Sequence, residues 1–206
     1  MALPGETTGR QPTVVAVLGA ESTGKSSLVT ALARTLRAEG HDVVVVDEAL
    51  RDFCAARGRT PQHHEQQAIA QRQTEAISNA AACHDLVLAD TTALVTAAYS
   101  EIMFDDRSLL ASAITCQRRY TLTLLCGLDL PWRADGHQRS GEHSRAPLDA
   151  WLRQALQTAA IPYAVIYGSG DARLQAALRA VQPAVRPASP QPATWRWRCR
   201  HCSDDD

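Results

Sequence analysis

Apolar residues in this chain come in short solid runs separated by longer stretches of helical spacing. Thr13 to Leu18, TVVAVL, is a continuous, largely β-branched run, the pattern of a strand buried on both faces rather than of one with a wet side. From Lys25 to Glu39 the apolar positions Leu28, Leu32, Ala33 and Leu36 share one helical face, and Gly40 supplies the stop. HDVVVVDE then predicts a second buried strand. Strand, helix, strand within about 30 residues is a βαβ unit, which requires a parallel sheet with helices on its faces. The alternation continues. Pro61 to His84 is rich in Gln and Ala with Ile69 and Ile77 at helical spacing, and DLVLAD predicts a third strand ending at Asp90. Ala93 to Ser112 reads as an interrupted helix and Tyr120 to Leu130 as a fourth strand. Trp132 to Pro147 has no period, Leu148 to Ala159 is helical, PYAVIYG is a fifth strand ending at Gly168, and Asp171 to Val181 is a last helix.

The expected fold is therefore α/β, a five-stranded parallel sheet with helices on both faces. The expected division is a polar leader over residues 1–12, one domain over 13–181, and a Pro-rich tail over 182–206, extended or flexible, marked by Pro183, Pro187, Pro190 and Pro192. With 206 residues, 45% hydrophobic, the chain can bury one substantial core.

Charge and cysteines narrow the setting. A formal net charge of -1 argues against a nucleic-acid binder driven by a broad basic field. Six cysteines are spread through helical and strand segments without the density of a secreted disulfide scaffold, so a reducing cytoplasm is the expected location. No apolar run approaches the roughly 18 residues of a membrane span, and no signal-like segment opens the chain.

The chemistry enters at GAESTGKS, Gly19 to Ser26, which satisfies GxxxxGK[ST] between a predicted strand and a predicted helix. Gly19 and Gly24 permit backbone angles that turn successive N–H groups inward, and the helix N-terminus adds partial positive charge. The phosphate cradle expected for ATP is Gly19, Ala20, Glu21, Ser22, Thr23, Gly24, Lys25, Ser26 and Ser27. Lys25 is expected to reach the β- and γ-phosphates and the Ser26 hydroxyl to coordinate Mg²⁺. The fold expectation thereby becomes a P-loop NTPase.

A P-loop serves switches, motors and kinases alike, so the acids must discriminate. Two apolar strands end in acid, one at Asp47 and Glu48, the other at Asp90. VVVVDE has the look of a motor Walker B element, but it follows the P-loop helix directly, whereas motor-type strands come later in the chain. In P-loop kinases of small metabolites that second strand brings a carboxylate to the acceptor hydroxyl, and a later strand beside the first brings the magnesium acid. On that topology Glu48 or Asp47 faces the acceptor and Asp90 the metal; the plainer alternative for Asp47 and Glu48 is a helix cap. The guanine-reading NKxD and DxxG elements of GTPases are missing from the sequence.

In family order, GAESTGKSSL, DEALRDF with Glu48 and Arg51, ADTTALVTAAYSE with Asp90, Thr91, Thr92 and Thr96, and LDLPWRADGHQR with Asp129, Trp132, Asp135, Gly136 and Arg139 resemble the ribosylnicotinamide kinase domain of NadR-type proteins and the related AAA-type small ATPase/kinase group. The resemblance spans Val14 to Val181. It implies transfer of the ATP γ-phosphate, with Mg²⁺, to the ribose 5′-hydroxyl of nicotinamide riboside, giving nicotinamide mononucleotide for NAD synthesis. It implies catalytic roles for Lys25, for Glu48 with Asp47 as alternate, and for Arg139, and an acceptor site of Glu48, Arg51, Trp132 and Asp135, with Ser26 and Asp90 on the metal. Trp132 offers a flat face to a cationic pyridinium ring, or simply anchors its loop. Arg133, Arg139 and Arg145 fall where such kinases carry a short lid, and GSGDAR from Gly168 passes under the adenine or is only a turn. NadR-type proteins place an adenylyltransferase domain ahead of the kinase. With only a dozen residues in that position, this chain is expected neither to make NAD from the mononucleotide nor to act as a repressor.

The partners expected are thus ATP and a small nucleoside-like acceptor, with neither nucleic acid nor membrane, and with oligomeric state open. The alternatives are a regulatory P-loop ATPase acting on a protein partner and a kinase for another nucleoside. Cys199 and Cys202 form one CxxC, half of a four-ligand zinc site with no second pair at a suitable spacing, so metal binding is the lesser alternative there; Trp195 and Trp197 alternate with arginines, which suits a solvated tail ahead of docking on an acidic or nucleic-acid partner. His63 and His64 are expected to be exposed at a helix start.

Overall fold

The computed structural model describes residues 11–133 and 142–185. Five strands form one sheet: β1 (Thr13–Leu18), β2 (Val43–Val46), β3 (Leu86–Asp90), β4 (Leu122–Cys126) and β5 (Ala164–Ile166). Their spatial order is β2-β3-β1-β4-β5, and every neighbouring pair is parallel. The helices between them are α1 (Lys25–Ala38), α2 (Ala49–Arg57), α3 (Gln66–Cys83), α4 (Ala93–Phe104), α5 (Leu110–Gln117) and α6 (Arg145–Thr158), and α7 (Gly170–Val181) follows β5.

The period-two geometry of strands sorts the apolar runs onto two faces. Val15 and Val17, Leu86 and Leu88, and Leu124 and Cys126 pack beneath α1 and α7. Val14, Val87 and Ala89 meet Ile77 of α3, while Leu18 and Leu125 pack with α4, α5 and α6. Burial on both faces explains why these strands read as solid apolar runs.

Several boundaries differ from the sequence expectation. The fourth strand ends at Cys126 rather than Leu130, because Gly127 to Leu130 leaves the sheet and turns over the P-loop. The interrupted helix after β3 is two helices, broken where Asp105 adopts φ 54 as the C-cap of α4. The helix read from Leu148 begins at Arg145, and α2, which follows directly on Glu48, was not marked by any long apolar period. The first tail residues remain packed: Val185 joins the α1–α7 core and Thr13 Oγ1 donates to the Ala184 carbonyl. The rest of the tail, with Cys199 and Cys202, lies outside the described residues.

Candidate active site

Strand β1 leads outward to β2 on one side, while β4 lies on its other, so the strand order reverses at the carboxyl end of β1, where open α/β sheets bind ligands. The loop from Gly19 to Gly24 stands at that switch point. Gly19 has φ 150, and a Cβ there would lie 2.9 Å from Thr23 Oγ1 and 3.0 Å from Cys126 Cβ. Gly24, with φ 75, is the N-cap of α1 and sits so close to Leu130 that a Cβ would meet its Cδ1 at 2.9 Å. The cradle is tightened from within: Thr23 Oγ1 and Lys25 Nζ both donate to the Ala20 carbonyl, at 2.7 and 2.9 Å. Ser22, itself at φ 54, exchanges hydrogen bonds with the Arg133 backbone through its hydroxyl. The Glu21 side chain turns away to accept from Tyr99 Oη at 3.1 Å, so this residue can serve a phosphate only through its backbone.

Parallel pairing sets Val17 of β1 opposite Asp90 of β3, which brings the acid at the end of β3 beside the P-loop. Asp90 is 1% exposed, and its Oδ1 is buried with no hydrogen-bond partner. The next residue, Thr91, holds φ 75, a conformation a β-branched residue adopts only when its surroundings impose it. Its amide is pinned to the Val17 carbonyl at 3.1 Å. Thr92 caps α4, accepting from the Leu94 amide, and donates to Gln117 Oε1.

At the end of β2 the two acids separate. Asp47 is exposed, whereas Glu48 is 7% exposed. Glu48 occupies the N-cap position of α2 but makes no side-chain capping bond; its Oε2 instead accepts from Arg51 Nη2 at 2.9 Å. The same Nη2 donates to Ser26 Oγ at 2.8 Å, and Nη1 lies 3.4 Å from Asp90 Oδ2. Ser26, Glu48 and Asp90, from three separate elements, therefore converge on one guanidinium. These donors suit Mg²⁺, a hard cation that takes oxygen ligands: Ser26 Oγ and Asp90 Oδ2 already face a positive charge, and Asp90 Oδ1 has a lone pair to spare.

A cavity of about 470 Å³ opens over the cradle, walled by Ser22 to Ser27, Arg51, Leu130, Pro131 and Arg133. Beyond Leu130 a second cavity of about 290 Å³ runs between α1 and the turn from β5 to α7, lined by Leu28, Leu174, Gly170 and Arg173.

Of the remaining residues expected from the sequence, Trp132 is half-buried with its indole Nε1 buried and unpartnered. Arg133 is exposed on the cavity wall. Arg145 is buried and donates to the Leu130 carbonyl at 2.9 Å, bracing the turn over the P-loop instead of lying in an irregular segment. Asp135, Gly136 and Arg139 lie outside the described residues.

Two positions escaped the sequence reading. Arg173 is 4% exposed and donates to the carbonyls of Thr23 and Gly168, at 2.7 and 3.0 Å, and to Asp129 Oδ1 at 3.3 Å. Asp129 in turn accepts from the Gly168 amide at 2.6 Å. Burial works against the charge of Asp129, but the Gly168 amide, its own amide and the Arg173 guanidinium together outweigh it and hold the carboxyl below its usual range. The buried Cys126 thiol is pushed up by burial, with Arg173 and Lys25 opposing. Gln73, almost fully buried, accepts from the Ala49 amide at 2.7 Å and donates to the Thr91 carbonyl at 3.3 Å, tying the start of α2 to the end of β3. A signal existed for both. Arg173 heads the buried stripe of Ala177 and Val181, and Gln73 sits between Ile69 and Ile77, so each is a polar residue on an apolar helix face.

A family model described as an AAA domain matches residues 14–173. The chain belongs to this AAA domain family. Among solved structures, this AAA domain superposes on a NadR protein in complex with NR with a TM-score of 0.67 and 22% identity, over 85% of this chain and 51% of that one. A NadR protein in complex with NAD and AMP-PNP gives 0.66 and 22%, over 84% and 49%. The AAA domain chain thus spans about half the length of those proteins, and at this identity the likeness shows the shared P-loop α/β fold. No protein of curated function matches the sequence.

Proposed function

We propose that the protein is an ATP-dependent kinase for a small nucleoside, with nicotinamide riboside as acceptor and nicotinamide mononucleotide as product. The observation that carries this reading is the buried carboxylate of Glu48, held by Arg51 within the same cluster as Ser26 and Asp90. An acid in that place has a use when a hydroxyl must be oriented toward the γ-phosphate, and the fold likeness to a NadR protein in complex with NR supports the choice of hydroxyl.

In the reaction the acceptor oxygen bonds to the γ-phosphorus, the bond from that phosphorus to the β,γ-bridging oxygen breaks, and ADP leaves. Glu48 accepts the hydroxyl proton and, more importantly, orients the oxygen, since phosphoryl transfer is governed by positioning and charge neutralisation. Backbone amides of Gly19 to Ser27 cradle the phosphates, and Lys25 exchanges its Ala20 carbonyl for phosphate oxygens. Mg²⁺, held by Ser26 and Asp90, neutralises phosphate charge when bound. Arg133 is assigned as a cationic partner of the transferring group and Trp132 as a partner of the pyridinium, and the sequence resemblance adds Arg139 to the first role and Asp135, for the ribose, to the second. The adenine occupies the cavity between Leu130 and the β5–α7 turn, against Leu28 and Leu174.

The test is purified protein with Mg-ATP and a panel of nucleosides that includes nicotinamide riboside, scored by mass for the phosphorylated product. Formation of the mononucleotide is expected. ADP release with no phosphorylated nucleoside above background hydrolysis would overturn the kinase reading, and a different phosphorylated nucleoside would overturn only the acceptor.

A further inference from the structure

One set of contacts has no direct part in the proposed phosphoryl transfer. Arg51 Nη2 donates to Ser26 Oγ at 2.8 Å, and Nη1 stands 3.4 Å from Asp90 Oδ2, so the guanidinium engages both groups that suit a divalent cation. It also holds Glu48, at 2.9 Å. We infer that Arg51 is a positioning residue that guards the oxygen groups suited to a divalent cation, Ser26 and Asp90, so that the cation is admitted only together with the triphosphate. This inference rests on Ser26 and Asp90 being the cation's ligands in the proposed kinase.

The physical basis is charge balance in a poorly solvated place. Glu48 and Asp90 are 7% and 1% exposed, and two such carboxylates need a countercharge. Arg51 cannot lose its proton, and its planar fork can serve several acceptors at once. A divalent cation arriving alone must displace the guanidinium from Ser26 and Asp90 and bring more positive charge beside it, while the guanidinium keeps Glu48 but gives up those two acceptors. A triphosphate changes the balance. Its oxygens enter the cavity that Arg51 itself lines, and the Arg51 side chain, 35% exposed, has room to turn onto them. The exchange then proceeds with every charge paired: the cation takes Ser26 and Asp90, Arg51 takes phosphate, and Glu48 is released toward the acceptor.

The experiment measures binding of Mn²⁺, a paramagnetic substitute for Mg²⁺, to nucleotide-free wild type and Arg51→Gln by the resonance signal of the free ion, and binding of the Mn²⁺–AMP-PNP complex to each by the change in water-proton relaxation against a protein-free Mn²⁺–AMP-PNP control, since the nucleotide chelates the ion by itself. The wild type is expected to bind Mn²⁺ weakly alone and tightly with AMP-PNP. Arg51→Gln is expected to bind Mn²⁺ alone roughly tenfold more tightly than the wild type, and AMP-PNP in the presence of Mn²⁺ roughly tenfold more weakly. Opposite signs are the signature, because a merely structural loss would weaken both. Adding Asp90→Asn to Arg51→Gln is expected to remove the gained Mn²⁺ binding. If folded Arg51→Gln binds nucleotide-free Mn²⁺ no better than the wild type, the inference is overturned. If the wild type binds no Mn²⁺ even with AMP-PNP, the assignment of Ser26 and Asp90 falls, and the inference with it. Should Arg51→Gln not fold, Arg51→Lys decides, since a compact ammonium cannot span the three acceptors and the same two opposite shifts are expected at smaller size.

Discussion

At the scale of single residues, the separation of Asp47 from Glu48 has the most direct consequence. Both acids end the same apolar run, yet one faces solvent and the other is enclosed with Arg51. Glu48→Gln is expected to retain ATP binding, measured by calorimetry, while phosphoryl transfer falls by about 10²–10⁴-fold. Asp47→Asn is expected to leave both unchanged within about twofold. Equal losses from the two variants would remove Glu48 from its proposed role. The glycines offer a second comparison. Gly24 and Gly58 share left-handed backbone, φ 75 and φ 65, but a Cβ at Gly58 meets nothing within 4 Å whereas one at Gly24 strikes Leu130. Gly58→Ala is therefore expected to cost about 1 kcal/mol from backbone strain alone, and Gly24→Ala more, read from urea midpoints. GxxxxGK[ST] marks Gly24 in the sequence, but not Leu130 as the neighbour that makes it necessary.

At the scale of elements, the site depends on three ties between segments far apart in sequence. Arg173 binds α7 to the P-loop and to the segment after β4, Gln73 binds α3 to α2 and β3, and Arg145 binds α6 to Leu130. Removing Arg173 leaves the Thr23 and Gly168 carbonyls and Asp129 short of a donor. Arg173→Met is expected to lower stability by about 1–3 kcal/mol in urea titration and to weaken nucleotide binding, because Thr23 lies within the cradle. If nucleotide affinity is untouched while stability falls, the tie is architectural and does not shape the cradle. The element pattern itself was open to sequence reasoning wherever strands are buried on both faces. It was less so for α2 and for the ends of β4 and β5, where only a few apolar residues mark a short element and tertiary contacts choose its limits.

At the scale of the whole molecule, two exposed-side clusters outside the candidate site are expected to contribute to the pH dependence of stability. Glu65 is held at about 2 by hydrogen bonds from Arg59 and the Gln62 amide, and Asp106 at about 2 by the Ser108 amide, His63 and the Ser108 hydroxyl. Their ordinary values are 4.5 and 3.8. Since folding depresses both, the folded state binds fewer protons than the unfolded chain below those values. Their stabilisation is complete above about pH 4.5 and is lost as the pH falls toward 2. The variant Glu65→Gln with Asp106→Asn is expected to show a flatter fall in urea midpoint between pH 5 and pH 3 than the wild type; parallel curves would show that these carboxylates do not carry the acid response.

The sequence by itself determined the parallel sheet, the P-loop and the acids that end β2 and β3, because solid apolar runs, helical periods and glycine spacing are local properties set by backbone geometry. Only the tertiary structure decided which acids meet. The order β2-β3-β1-β4-β5 sets Asp90 beside the P-loop, and the course of α2 turns Glu48 inward, leaves Asp47 in solvent and carries Arg51 onto Ser26. Those relations follow from strand order and packing across more than 20 residues of chain, which a pattern within one segment does not encode.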